Sequence, residues 1–294
     1  MSLILVFTAN SLEGAIVKRL MHSKTHTDGS KRKVSGRIGD NHIVLVTTGM
    51  GPRNAEAAAS QVLRSAERSP KMFRDVAPAP DAALITGLAG SLVPWIAEGD
   101  LVIYENCLSE TDDQTSITCS PALVESMNRS LGSRGFLSKR VTAISSPRIA
   151  QRDQDRERLA RSGAAVVDME SFQVATCSAA AGVPVAVIRA ISDSPGARMP
   201  DLNRALTPDG YFDRWMLVGS LVSSPLATAR LFRASRRGLA ALEQALETVL
   251  SSASILAGPA HVEAPRDPNQ SPESFGVLTG QHSKAPTRDS RVQK

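Results

Sequence analysis

Aromatic residues, cysteines and histidines are all scarce in this sequence of 294 residues. Phe, Tyr and Trp make up 4% of the chain, which leaves few of the stacking platforms that bind single-stranded nucleic acid. The three cysteines, Cys107, Cys119 and Cys177, fit neither a disulfide framework nor a CxxC metal site. The five histidines add no His/Cys cluster. We therefore expect no nucleic-acid partner and no metal.

Long hydrophobic runs are also missing. No apolar run approaches the roughly 20 residues that span a bilayer, and the N-terminal run LILVF is too short and lacks the basic start of a secretory signal. Charge is nearly balanced, with 34 basic residues against 29 acidic ones. Hydrophobic residues make up 42% of the chain, enough for a large core. These features predict a soluble cytoplasmic protein.

Apolar runs that are typical of buried strands alternate with segments of helical spacing. The predicted strands cover residues 3–8, 43–48, 82–86, 100–104, 140–144 and 185–190. The predicted helices cover residues 12–21, 54–66, 121–133, 153–162 and 170–181. This alternation favours a layered α/β domain. The region 97–119 has too little helix for a repeated βαβ unit, so we expect a mixed sheet.

The C-terminal third of the chain has a different character. Residues 215–250 read as one or two helices broken near Ser224-Pro225. From about residue 252 the chain is rich in Pro, Ser, Gln, Asp and His and has no periodicity. We predict one domain over 1–251, with a helical extension at 212–251, and a disordered tail at 252–294.

Acidic residues and glycines follow several of the predicted strands. Glu13 begins a helix after the first strand, and Asp193 follows the last one, where open α/β sheets keep their sites. Asp168 and Glu170 precede a helix of small residues, and glycine turns are predicted at 49–51 and 87–90. Each feature alone has an ordinary explanation as a helix-start acid, a cap or a tight turn.

The order of these motifs is more specific than any one of them. With ITGLAGSLVPWIAEGDLVI, VVDMES and AISDS in this order, residues 1–194 resemble the nucleoside phosphorylase and nucleosidase superfamily, especially the methylthioadenosine/S-adenosylhomocysteine nucleosidases. The resemblance implies a single α/β domain with a central mixed, partly barrel-like sheet flanked by helices. It also implies a homo-oligomer, commonly a dimer, and a purine nucleoside as ligand. Because the sequence has neither a His/Cys cluster nor a dinucleotide fingerprint, we expect no cofactor.

The resemblance also implies roles for single residues. Asp193 is expected to protonate or hydrogen-bond N7 of the purine, and Glu13 to activate the attacking water. Glu170 is expected to hold the ribose hydroxyls, with Met169 against the sugar, and Asp168 is expected to be structural. Arg189 and Ser192 are expected to support the acid. The remaining base-pocket residues are expected to be Ala89, Gly90, Arg148, Ile149 and Ser192.

Those residue types suit the chemistry of a purine N-ribosyl bond. Its cleavage builds positive charge on the sugar and negative charge on the departing base. A carboxylic acid at N7 neutralises the base, which calls for an acid with a raised pKa. A carboxylate beside the sugar stabilises the oxocarbenium-like centre. The expected roles are thus one acid at the base (Asp193), one at the sugar (Glu170) and one at the attacking water (Glu13).

The nucleophile can be water or phosphate. Ile85 and Leu88 stand where a bacterial purine nucleoside phosphorylase has an Arg and a Ser that hold phosphate, which favours hydrolysis. Gly51 and Arg53, at a helix start, can still form an anion site that takes phosphate as co-substrate. Arg148 replaces the aromatic residue that the nucleosidases place against adenine, although a guanidinium also stacks on bases. A nucleoside-binding module without turnover is the alternative from another class.

The extension from residue 206 onward, which begins LTPDGYFDRWMLVG, resembles that of the hopanoid-associated phosphorylases. Those proteins act on an adenosyl group attached to a lipid, so phosphorolysis of such a substrate is a second alternative. The extension also carries Arg230, Arg233, Arg236 and Arg237. A basic amphipathic helix can contact a membrane surface peripherally, here through 212–250, or simply pack on the domain with its basic face exposed.

Overall fold

A computed structural model describes residues 2–26, 32–68, 80–111, 115–207 and 212–252. The predicted tail therefore lies outside the described residues, apart from Ser252. The strands are β1 (Leu3–Thr8), β2 (His22–His26), β3 (Lys33–Ile38), β4 (Asn41–Thr47), β5 (Ala82–Ser91), β6 (Leu101–Ser109), β7 (Ser116–Thr118), β8 (Ser138–Ser145), β9 (Val166–Asp168) and β10 (Val185–Asp193). The helices are α1 (Ser11–Leu20), α2 (Pro52–Arg68), α3 (Pro121–Ser133), α4 (Asp153–Ala160), α5 (Ser171–Ala180), α6 (Arg214–Ser223) and α7 (Pro225–Ser251).

The central sheet closes on itself through five strands. β10 pairs with β6, β6 with β8, β8 with β9, β9 with β5, and β5 again with β10. The β10–β5, β6–β8 and β8–β9 pairs are parallel, whereas the β10–β6 and β5–β9 pairs are antiparallel. From β5 the sheet continues outward through β1, β4, β3 and β2. The predicted single α/β domain with a mixed, barrel-like sheet flanked by helices is thus confirmed.

The apolar composition of the central strands explains their position. All six residues of β1 and all nine of β10 are buried, as expected for strands covered on both faces. Each of the six predicted strands is present. The strands β2, β3, β7 and β9 were not predicted as such, because they are short or carry polar residues.

The predicted turn at 87–90 is wrong, because β5 continues through these residues to Ser91. Its partners explain the extension: β10 pairs with β5 as far as Gly90, and β9 pairs with Gly90 and Ser91. Gly87 has a φ of +148°, which residues with a side chain rarely adopt. Interstrand hydrogen bonds therefore replace the turn that the glycine spacing suggested.

The C-terminal helices α6 and α7 meet at Ser224, where the sequence predicted a break. Gly238 of α7 lies against the barrel, where an added Cβ would come within 3.2 Å of Leu88 and 3.4 Å of Ala190. This close approach places the helix directly over β5 and β10. None of the helices in the described ranges combines the length and the apolar character that a bilayer-spanning helix needs.

Candidate active site

Three acids that are far apart in the sequence line one cavity of about 520 Å³. Glu13 comes from the first turn of α1, Glu170 lies between β9 and α5, and Asp193 ends β10. All three are buried, with exposed fractions of 5%, 6% and 8%. The barrel and α1 therefore bring together the acids to which the sequence assigned the chemistry.

Glu13 is held by backbone donors on both carboxyl oxygens. Its Oε2 accepts a hydrogen bond from the Ala9 amide at 3.0 Å, and its Oε1 accepts one from the Leu88 amide at 2.9 Å. Asn10 caps α1 and fixes the backbone of Glu13. Burial raises the pKa of Glu13, while the Arg189 charge and these amides oppose the rise. The carboxyl group is therefore fixed in place inside the cavity.

Gly87 makes the position of Glu13 possible. A Cβ on this residue would lie 2.6 Å from the carboxyl carbon of Glu13 and 2.7 Å from Nη1 of Arg189. Such distances are shorter than real contacts allow, so only glycine lets β5 pass this close to the two charged groups. The glycine that was predicted for a turn instead provides space for the site.

Glu170 binds a glycine turn and faces a cation. Its Oε1 accepts a hydrogen bond from the Gly51 amide at 2.8 Å, and its Oε2 lies 3.8 Å from Nη2 of Arg189. Burial raises the pKa of Glu170 to about 8, with the Asp168 charge adding to the rise and Arg189 opposing it. Burial therefore favours the neutral form of this carboxyl group, and Arg189 favours its charged form.

Asp168 lies next to Glu170 and contacts the start of α5. Its Oδ1 accepts hydrogen bonds from Ser145 Oγ at 2.6 Å and from the amides of Glu170 and Ser171 at 3.2 Å. Its Oδ2 lies 3.2 Å from Nη2 of Arg189. The aspartate thus orients the start of α5, and with it Glu170, while it balances the buried guanidinium.

The expectation that Arg189 supports Asp193 is wrong. Arg189 donates hydrogen bonds to the Leu88 carbonyl and to Ser171 Oγ, and its ion pairs join it to Asp168 and Glu170. Four residues of extended strand, about 13 Å, separate its backbone from that of Asp193. Arg189 therefore serves the two acids on the sugar side of the predicted site.

Asp193 has a different cation, which the sequence analysis missed. The guanidinium of Arg156 in α4 donates from Nη2 to Asp193 Oδ2 and from Nη1 to the Ser91 carbonyl. Ser192 Oγ donates to Asp193 Oδ1 at 2.6 Å. The pairing of β10 with β5 shifts between Ile191 and Asp193. Such a bulge redirects side chains, and both Ser192 and Asp193 line the cavity.

The other predicted pocket residues divide between two neighbouring cavities. Ala89, Gly90, Arg148, Ile149, Met169 and Ser192 line the cavity of the three acids. Gly51 and Arg53 line an adjacent cavity of about 460 Å³. The two cavities share Met50, Arg148 and Met169. Arg53 of the predicted anion site therefore lies in the neighbouring cavity, while the amide of Gly51 donates its hydrogen bond to Glu170.

The C-terminal helices form one wall of the cavity of the three acids, and the sequence did not predict this. The lining residues from α6 and α7 are Leu217, Leu221, Leu231, Phe232, Ser235, Arg236 and Leu239. Most are apolar, and Arg236 adds one positive charge. The extension is thus part of the site. Among the described residues, no group of three or more His, Cys, Asp or Glu side chains could hold a metal ion.

Comparison with known proteins supports the same family. The family model described as Phosphorylase superfamily matches residues 4–206. No curated protein matches the sequence significantly. Among solved structures, the fold is similar to that of 5′-methylthioadenosine/S-adenosylhomocysteine nucleosidase from Neisseria meningitidis, which was solved in complex with methylthio-immucillin-A. That pair has 16% identity and a TM-score of 0.65, and the match covers 85% of this chain and 99% of the other.

Two further structures have a similar fold. S-adenosylhomocysteine nucleosidase from Streptococcus pyogenes has 17% identity and a TM-score of 0.63, with 85% of this chain and 96% of the other covered. Futalosine hydrolase of Helicobacter pylori has 16% identity and a TM-score of 0.61, with 84% and 97% covered. At these identities the similarity establishes the fold.

Proposed function

Because the chain belongs to the phosphorylase superfamily, we propose that it is an enzyme that hydrolyses the N-ribosyl bond of a purine nucleoside. The convergence of Glu13, Glu170 and Asp193 on one cavity is the observation that supports this function most directly. The solved structures of similar fold include enzymes described as nucleosidases and a futalosine hydrolase.

Each acid takes one part of the reaction. Water attacks C1′ of the sugar and loses a proton to Glu13, while the bond from C1′ to N9 breaks and its electron pair stays on the base. Asp193, held by Ser192 and Arg156, is the group we assign to purine N7. Its carboxylate takes up a proton when the nucleoside binds and passes it to the departing base, and Glu13 later releases the proton that it took from water, so the protons balance. Glu170 binds the ribose hydroxyls. The products are free base and free ribose derivative.

The preferred substrate is a 5′-modified adenosine with an apolar substituent. Leu217, Leu221 and Phe232 bring apolar surface to the cavity that holds the acids, and apolar lining favours apolar ligand groups. A methylthio group fits this chemistry, and so does the lipid-linked adenosyl group that the resemblance of the extension suggested. We expect the enzyme to act as a homodimer in the cytoplasm.

Phosphorolysis is the second candidate, and Arg236 favours it. This arginine lines the cavity of the three acids, so a cation is available for phosphate even though Ile85 and Leu88 cannot bind an anion. Arg53 in the adjacent cavity is a further cation. With phosphate as co-substrate, the sugar product would be a ribose 1-phosphate derivative.

One experiment separates these functions. The full-length protein is incubated with methylthioadenosine, adenosine and inosine in phosphate-free buffer, and then with phosphate added. Free base together with free ribose derivative in the absence of phosphate supports hydrolysis. Base release only after phosphate addition supports phosphorolysis. Nucleoside binding without base release in either buffer would contradict both and favour a binding module.

A further inference from the structure

The outer face of α6 is apolar, and nothing within the described part of the chain covers it. Trp215, Val218 and Val222 lie at positions i, i+3 and i+7 and form one stripe along the helix. Their exposed fractions are 85%, 52% and 71%. Leu217 and Leu221, on another face of the same helix, line the cavity. A helix that is apolar on opposite faces is expected to be covered on both, so the outer stripe needs a partner.

The exposed face of α7, the next helix, carries positive charge. Four residues follow one another at the helical spacing i, i+4, i+7 and i+11: Leu226, Arg230, Arg233 and Arg237. Residues 214–242 contain five arginines and no Asp, Glu or Lys. Arg230 forms an ion pair with Glu98 at 3.1 Å, whereas Arg233 and Arg237 form no ion pair with any described acid. The stripe therefore presents uncompensated positive charge.

We propose that α6 and the first half of α7 form a binding surface for an anionic lipid bilayer. The lipid-binding face is defined by Trp215, Val218, Val222, Leu226, Arg233 and Arg237. Tryptophan and aliphatic side chains insert at the boundary of headgroups and acyl chains, and arginines bind the anionic headgroups. The apolar side chains of α6 match the acyl-chain boundary of the bilayer, and the arginines of α7 match its layer of anionic headgroups.

The charge pattern favours a bilayer over a second copy of this chain. In a twofold dimer the same patch meets itself, so two arginine stripes would be brought together without acids to balance them. Like charges opposed in this way destabilise an interface. An anionic lipid surface supplies the missing negative charge.

The lipid-binding face adjoins the cavity of the three acids. Phe232 is 53% exposed and also lines that cavity. Binding to a bilayer would therefore place the cavity next to the membrane surface. Lipid binding itself does not depend on the proposed reaction, and the two are tested separately.

Trp215 provides a direct readout in the full-length protein. The chain has two tryptophans, so the Trp95→Phe variant leaves Trp215 as the single tryptophan, which can be excited selectively. We expect its emission to shift to shorter wavelength with vesicles of phosphatidylcholine mixed with phosphatidylglycerol, but not with phosphatidylcholine alone. High salt should reverse the shift. No shift and no cosedimentation with the anionic vesicles would overturn the proposal.

Matched variants test which residues carry the binding. Arg233→Gln with Arg237→Gln should weaken vesicle partitioning at least tenfold. Arg134→Gln with Arg161→Gln removes the same charge from exposed positions elsewhere and should leave partitioning nearly unchanged. Equal effects of the two pairs would overturn the proposal, because bulk charge alone would then explain the binding.

The apolar stripe needs its own control. Trp215→Ser with Val222→Ser should also abolish partitioning, whereas Leu137→Ser, at a residue 92% exposed, should not. Sedimentation velocity without lipid identifies the competing outcome. A wild-type dimer that the Trp215→Ser/Val222→Ser variant converts to monomer, with no vesicle binding by either, would assign this face to a second copy of the chain and overturn the proposal.

Discussion

Arg156 and Asp193 form a buried ion pair next to the proposed purine site, with side chains only 3% and 11% exposed. The guanidinium also binds the Ser91 carbonyl at 2.6 Å and lies 3.3 Å from Met199 Sδ. The ion pair with Asp193 and the hydrogen bond to Ser91 thus connect α4 to the ends of β10 and β5. This arrangement fixes the orientation of the carboxyl group before any nucleoside binds.

Loss of the Arg156 guanidinium should destabilise the folded protein. We expect Arg156→Met to lower the free energy of unfolding by about 3 kcal/mol, because it leaves a buried carboxylate without its partner. Arg158→Met is the matched control on the same helix, where the arginine is 54% exposed and pairs with Glu110 at 2.6 Å. It should cost less than about 1 kcal/mol. Urea denaturation measures both, and equal losses would show that the buried pair has no special role.

The variant Asp193→Asn should retain the fold and lose base release. The amide has the size of the carboxyl group but cannot deliver a proton, so we expect turnover to fall by about 10²- to 10⁴-fold. Product release from methylthioadenosine, followed by chromatography, measures the rate, and circular dichroism checks the fold. Asp40→Asn, at an exposed position, should be fully active. Wild-type turnover by Asp193→Asn would remove this residue from the mechanism.

Gly87 and Gly132 should respond to alanine in opposite directions. Gly87→Ala places a methyl group 2.6 Å from the Glu13 carboxyl group, so we expect about 1–3 kcal/mol of destabilisation together with a loss of turnover. Gly132 lies in α3 with nothing within 4 Å of an added Cβ. There alanine should stabilise the protein by up to about 1 kcal/mol, because it favours the helix. Thermal unfolding distinguishes the two, and a tolerated Gly87→Ala would contradict the described packing.

The pH dependence of stability should report on Glu170. Its pKa rises from 4.5 to about 8 on folding, so between these values the folded protein binds more protons than the unfolded one. The free energy of unfolding should therefore fall as pH rises from about 5 to 8, by at most about 1.4 kcal/mol per pH unit for this one group. Urea titrations across this range measure the slope.

Two variants test whether Glu170 causes this pH dependence of the free energy of unfolding. Glu170→Gln should make it shallower, since the amide does not titrate, although Glu13 also contributes because its pKa is raised. Glu247→Gln, at an exposed position of α7, should leave the slope unchanged. A slope that Glu170→Gln does not alter would show that Glu170 is already ionised in the folded protein.

Much of the fold could be predicted because burial and sequence agree in the central strands. Residues 3–8 and 185–190 are continuous apolar runs, and they became strands covered on both faces. The family resemblance, drawn from short motifs at strand ends, is confirmed by the family match to residues 4–206. The extension of β5 through 87–91 could not be predicted, because its glycines indicate a turn until the pairing partners are known.

The sequence around Arg156 gives only a weak indication that this arginine is buried. Arg156 lies in the charged stretch DQDRERLARS, in which arginines are normally solvated, yet it is three residues before Leu159 and shares its buried face. Its partners Ser91 and Asp193 are distant in sequence. A local sequence pattern does not indicate partners that are distant in sequence. Asp193 differs, because the strand that precedes it marks it as an acid at a strand end.

Gly238 lets α7 approach β10, and the last wall of the cavity is therefore made by the last helix described. Glu13 emerges from the ribosome early in synthesis, but Leu239 emerges only near the end. A nascent chain that lacks α7 could form the barrel strands and still leave its acids open to water. Competence to hold a nucleoside should thus arise late in translation, and truncated products of this chain should be inert towards the pool of cellular nucleosides.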